Sequence, residues 1–148
     1  MPSYRSGMEG PIVVGTDGSD TAAVAVGEAI QLAKAFDQTL HVLCAYRPQE
    51  TRGVPAEFAG SVRADSKVQA VLDDVLSRAR QSGVTAEQHA VTGDPADAIL
   101  DLADAVHAGL IVVGNQGINS VRRYVLGNVP SKVVHHATCS TLVVNTNA

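Results

Sequence analysis

Two stretches of the chain repeat one pattern. Ile12-Val13-Val14-Gly15-Thr16-Asp17-Gly18 and Ile111-Val112-Val113-Gly114-Asn115-Gln116-Gly117 both read IVVGxxG. Each is an apolar strand run broken at glycine, a residue that permits either a tight turn or a close backbone approach to a ligand. In open α/β sheets, ligands bind beyond the carboxyl ends of strands, where the strand order reverses. If these two strands are neighbours at that point, both glycine turns line one crevice. The second copy continues to Gly127, Asn128, Val129 and Pro130, at the start of a predicted helix. Backbone N–H groups at a helix N-terminus, approached by a glycine loop, form an anion site suited to phosphate. Asn128 also reads as an ordinary N-cap, a role compatible with phosphate binding. Asp17 offers a carboxylate acceptor, open either to a ligand or to an Asx turn within its own loop.

The elements that must position these residues follow from hydrophobic periodicity. Residues 11–16, 110–114 and 141–144 are nearly continuous β-branched or aliphatic runs, as expected of strands buried on both faces. Residues 39–46 form a further strand candidate, and 86–92 alternate in the manner of an edge strand. Helices are predicted over 20–36, with Ser19 or Asp20 as N-cap and Ala23, Val26, Ile30 and Ala33 on one stripe, and over 62–82, with Val68, Val71, Leu72, Val75 and Ala79 inward before Gly83. Asp94 followed by Pro95 opens a helix over 95–108 with Ile99, Leu102, Ala103 and Val106 inward. A short helix over 129–136 precedes the last strand. This alternation requires parallel strands, right-handed crossovers and helices on both faces, a doubly wound α/β domain. Residues 47–61 and 115–128 fit no element, and loops of that length are usually functional or disordered.

Composition narrows the function. The 148 residues are 45% hydrophobic and suffice for one domain, taken as 11–148 after a flexible segment over 1–10. A net charge of −4 supplies no basic field for nucleic acid, and aromatic content of 3% leaves little for base stacking. No apolar run approaches the roughly 18 residues of a membrane span. Residues 1–10 lack an apolar signal segment, so a cytoplasmic location is expected. Cys44 and Cys139 make no CxxC pair and read as small buried hydrophobes.

The full spacing Gly114-x2-Gly117-x9-Gly127-Asn128 resembles the nucleotide-binding branch of the universal stress protein family, whose motif is G-x2-G-x9-G followed by Ser or Thr. The resemblance runs from VVGTDGSDTA at 13–22 through GDP at 93–95 to TLVV at 141–144. It implies a five-stranded parallel sheet of order 3-2-1-4-5, adenine nucleotide α-hydrolase-like with flavodoxin-like layers, and a homodimer paired through the 141–144 strand. It also implies an adenine nucleotide as ligand. Gly15, Thr16 and Asp17 would lie beside adenine and ribose, and Ala45 would meet the base through its backbone. Val113, Gly114, Gly117, Gly127, Asn128 and Val129 match the ribose and phosphate segment. Asn128 stands where the family usually has a hydroxyl, which alters how a triphosphate would sit. The GNxG form of the turn is similar to members that bind cyclic AMP. ATP, with Mg²⁺, AMP and cyclic AMP all remain candidates.

Other chemistries lack their residues. There is no GxxxxGK[ST] stretch, and the first lysine after Gly127 is Lys132. No GxSxG elbow is present, and Ser19 is better explained as a helix cap. His135 and His136 are adjacent on a helix, and His41 and Cys44 face opposite sides of a strand, so no metal site is expected. Arg122 and Arg123 lie between the motif glycines, within reach of phosphate or simply in a solvated loop. The alternatives to a binding module are a slow ATPase or autophosphorylating protein, with Ser19, Ser120 or Ser131 as acceptor, and a dimeric scaffold that binds no nucleotide.

Overall fold

The computed structural model describes residues 9–46, 61–115 and 126–146. Gly117, Ser120, Arg122, Arg123 and nearly all of the 47–61 loop lie outside the described residues. The chain alternates strands and helices: β1 (Ile12–Gly15), α1 (Asp20–Phe36), β2 (Leu40–Tyr46), α2 (Ser61–Gln81), β3 (Ala86–Thr92), α3 (Pro95–Ala105), β4 (Leu110–Gly114), α4 (Asn128–His136) and β5 (Ser140–Val144). All pairings are parallel, and the sheet order is β3-β2-β1-β4-β5. The expected order 3-2-1-4-5 is therefore the observed one, with β1 and β4 adjacent at its reversal point.

Alternation along each strand divides the core in two. Ile12, Val14, Leu40, Val42 and Cys44 face α1 and α2, where they meet Val26, Ile30, Leu72, Val75 and Ala79. Val13, Leu43, Ile111 and Val113 face the other way and pack with Ala96, Ile99, Ala103 and Val133 of α3 and α4. Leu72 and Ile111 are wholly buried, and burying such a side chain stabilises by about 1.5–3 kcal/mol.

Helix ends obey local chemistry. Ser19 caps α1, its Oγ accepting from Ala22 N–H at 3.1 Å. Asp94 caps α3 by accepting from Asp97 N–H at 3.0 Å, with Pro95 in the first turn. Gly83 closes α2 with φ +79°, donating to Arg80 O while Val84 N–H reaches Ala79 O.

Three expectations require correction. α3 stops at Ala105, three residues short of 108, because His107 adopts φ +54° and Ala108 N–H turns back to Ala103 O. Ala23 is exposed, and the inner face of α1 is instead Ala25, Val26, Ala29, Ile30 and Ala33. These residues face the sheet in adjacent pairs, which a stripe spaced strictly by three and four does not capture. Asn128 is the first residue of α4 and Gly127 is its N-cap, so no side chain caps this helix.

Candidate functional site

The carboxyl ends of β1, β2 and β4 open into a cleft between the starts of α1, α3 and α4. Its described lining comprises Gly15, Thr16, Asp17, Ser19, Thr21, Ala22, Leu43, Ala45, Pro95, Ile99, Val113, Gly114, Val129 and Pro130. It encloses about 660 Å³ including the space open to solvent at its mouth. The floor is apolar, built from Leu43, Ala45, Ile99 and Val113, while Thr16, Asp17, Ser19 and Thr21 supply polar groups along one side. A flat apolar floor with a few convergent polar groups is the usual form of a small-molecule site.

The first glycine turn is shaped by its own side chains. Thr16 Oγ1 accepts from Gly18 N–H at 3.1 Å, and Asp17 Oδ1 accepts from Ser19 N–H at 2.9 Å. The Asx turn is thus formed, engaging one Asp17 oxygen and holding the carboxylate at the cleft. Gly15 serves space rather than a turn, because a Cβ there would lie 2.6 Å from Ile99 Cδ1 and the isoleucine side chain would have to shift. Its backbone consequently lies flush with the cleft floor. Behind this loop, burial and then the Asp17 charge push the Cys44 thiol above its ordinary pKa, consistent with an inert packing role.

The second glycine turn is tied to β5. Asn115 N–H donates to Val144 O at 2.9 Å, and Asn115 Oδ1 accepts from Thr146 N–H at 3.1 Å and Thr146 Oγ1 at 2.8 Å. Gly127 N–H donates to Asn115 O at 3.1 Å, joining the start of α4 to the end of β4. Val129 and Pro130 line the cleft there. Proline has no N–H, so the first turn of α4 offers the N–H groups of Asn128 and Val129 but none from its third residue. Lys132 on α4 is held by α3, with its Nζ 2.7 Å from Asp97 Oδ1 and 3.4 Å from Asp94 Oδ2.

Seven of the residues expected from sequence, Gly15, Thr16, Asp17, Ala45, Val113, Gly114 and Val129, meet in this one cleft. Gly127 and Asn128 stand at the start of α4 beside it and are not among its lining residues. Gly117 lies outside the described residues. Ser19, Thr21, Ala22, Leu43, Pro95, Ile99 and Pro130 also line the cleft and were not among the residues expected there. Leu43 was detectable as the residue two before Ala45 on the same strand face, whereas Pro95 and Ile99 arrive only through the docking of α3.

Comparison with known proteins agrees with this architecture. The model of the universal stress protein family matches residues 8–145. Universal stress protein Rv1636 of Mycobacterium tuberculosis is 36% identical over 99% of both chains, and universal stress protein MJ0531 of Methanocaldococcus jannaschii is 33% identical over 90% of this chain and 80% of that protein. Among solved structures, a universal stress protein in complex with cAMP superposes with a TM-score of 0.74 at 35% identity, covering 93% of this chain and 98% of that one. The universal stress protein from Archaeoglobus fulgidus in complex with dAMP gives a TM-score of 0.69 at 26% identity, covering 92% and 98%. With its family model spanning nearly the whole chain and its sheet order the same as expected, the protein belongs to the universal stress protein family.

Proposed function

We propose that the protein is a regulatory adenine-nucleotide-binding module, acting as a homodimer, and that its preferred ligand carries a single phosphate, as AMP and cyclic AMP do. The observation that carries this reading is the convergence of Gly15, Thr16, Asp17, Ala45, Val113, Gly114 and Val129 on one cleft at the β1/β4 reversal. The apolar floor suits a purine face, and the Asp17 carboxylate suits sugar hydroxyls. The start of α4 suits an anion. The anion end is sparingly equipped: Pro130 removes one donor, and Lys132 is engaged with Asp94 and Asp97. A triphosphate needs more donors and normally a metal ion, whereas one phosphate needs few. The relative solved with cAMP, at 35% identity, supports the same class of ligand. Dimer formation is supported by β5, an edge strand whose Leu142 is 37% exposed, since an apolar edge left uncovered invites pairing.

Calorimetric titration with cyclic AMP, AMP and ATP, with and without Mg²⁺, tests the proposal, alongside Gly114→Glu. The expected result is saturable, metal-independent binding of cyclic AMP or AMP tighter than that of ATP, lost in the variant. Tighter binding of ATP that requires Mg²⁺ would refute the single-phosphate preference. No heat with any nucleotide, in protein folded by circular dichroism, would leave the scaffold reading.

A further inference from the structure

At the opposite end of β2 from the cleft, three potential metal ligands meet across two strands. His41 pairs directly with Glu87 in the β2–β3 register, and His89 stands opposite Leu43, one diagonal step away. His41 Nδ1 lies 2.9 Å from His89 Nε2 and 3.4 Å from Glu87 Oε2, and the three ligating atoms fall within 4.8 Å of one another. Ala45, in the nucleotide cleft, is four residues further along β2, about 13 Å at the usual strand rise. Leu43, which lines the cleft, lies between them, two residues from His41 and opposite His89, so the cluster adjoins the cleft floor but shares none of its lining residues.

We propose that His41, Glu87 and His89 form a binding site for a divalent transition-metal ion of the zinc type, with water in a fourth position. Two imidazoles and a carboxylate match the donor set of open tetrahedral zinc sites. In such a site, bonds of about 2.0–2.1 Å put neighbouring ligand atoms about 3.3 Å apart. The His41–Glu87 separation is close to this value, the His41–His89 pair must widen by about 0.4 Å, and the Glu87–His89 pair lies within 4.8 Å and closes around the ion.

The surroundings fit the role. His41 is 6% exposed while the Glu87 side chain is 62% exposed, so the ion has one anchored ligand and a solvent-facing side for water. Neutral imidazole is the form that binds metal. One proton joins the two rings in the metal-free protein. On metal binding, the ring that donates it must carry its proton on its other nitrogen, freeing the facing lone pair. Glu87 and His89, two apart on β3, share a strand face that their spacing alone implies, whereas His41 joins them only through the β2–β3 pairing.

The test is a Zn²⁺ titration of the full-length, chelator-stripped protein in competition with a chromogenic chelator, with Co²⁺ absorption as a report of geometry. The expected result is about one ion per chain at micromolar affinity or tighter, with a Co²⁺ spectrum of tetrahedral intensity. His89→Ala and Glu87→Gln, both at the exposed edge strand, should weaken binding by about 100-fold and about 10-fold or more, with the fold checked by circular dichroism. His135→Ala should leave it unchanged. Binding undiminished in His89→Ala, binding lost in His135→Ala, or no binding at about 100 µM Zn²⁺ would each overturn the proposal.

Discussion

Gly15 shows how one residue type serves both packing and recognition. Its missing side chain lets Ile99 pack against the end of β1, with a would-be Cβ only 2.6 Å from the Ile99 terminal methyl. Gly15→Ala should therefore destabilise the protein by about 0.5–1.5 kcal/mol as Ile99 turns its terminal methyl aside and weaken nucleotide binding by raising the cleft floor. Ile99→Val deletes that methyl at a cost of about 0.5–1.5 kcal/mol by itself. Combined with Gly15→Ala, it should recover part of the loss, so the two changes should couple favourably in denaturant unfolding. Strict additivity would show that the contact is not the reason for the glycine. Thr16 and Asp17 act at the same scale, since their side chains fold the loop onto itself through Gly18 and Ser19 N–H groups.

At the scale of elements, the first turn of α3 ties two helices to the rim of the cleft. Asp94 accepts from Asp97 N–H and faces Lys132 of α4, 3.4 Å away. The Asp97 N–H bond, and secondarily Lys132, hold its carboxyl below the ordinary 3.8. A carboxyl with a folded pKa below its unfolded value adds stability above the unfolded pKa and loses it as pH falls through the folded one. Asp94→Ala should cost about 1 kcal/mol at neutral pH through the lost cap, and the gap from wild type should narrow below pH 3.8, as read from melting temperatures. Asp94→Asn, which keeps a capping oxygen, should lose less. A constant gap across pH would refute the contribution of the charged form. Lys132 pairs with two carboxylates at the start of α3, Asp94 and Asp97, and so links it to α4.

At the scale of the whole molecule, the sheet order leaves β3 and β5 as edges. β3 is protected by exposed polar side chains such as Glu87 and Gln88, a common guard against edge pairing. β5 presents Leu142 instead. Light scattering at micromolar concentration should return the mass of two chains, and Leu142→Glu should give a monomer that retains the fold. A wild-type monomer would refute assembly through β5. Leu142 is not among the residues lining the cleft, so the monomeric variant should bind nucleotide as the wild type does.

The element types and order, and half of the described cleft lining, were legible in the sequence. Apolar runs closed by glycine mark buried strands, Ser19 and the Asp94-Pro95 pair mark helix starts, and the IVVGxxG repeat marks the two turns that flank the reversal point. These signals are local, carried by neighbouring side chains and backbone preferences. The exceptions are local as well: His107 ends α3 in a left-handed conformation, for which glycine is the usual sequence signal, and Gly127 rather than Asn128 caps α4. Only the tertiary structure decided what comes from elsewhere in the chain. Ile99 reaches the cleft floor because α3 docks across β1 and β2, Lys132 is held because α4 lies beside α3, and His41 meets Glu87 and His89 because β2 and β3 pair in one register. Such contacts depend on strand register and helix docking over 30 or more residues of chain, which the local pattern of side chains does not encode.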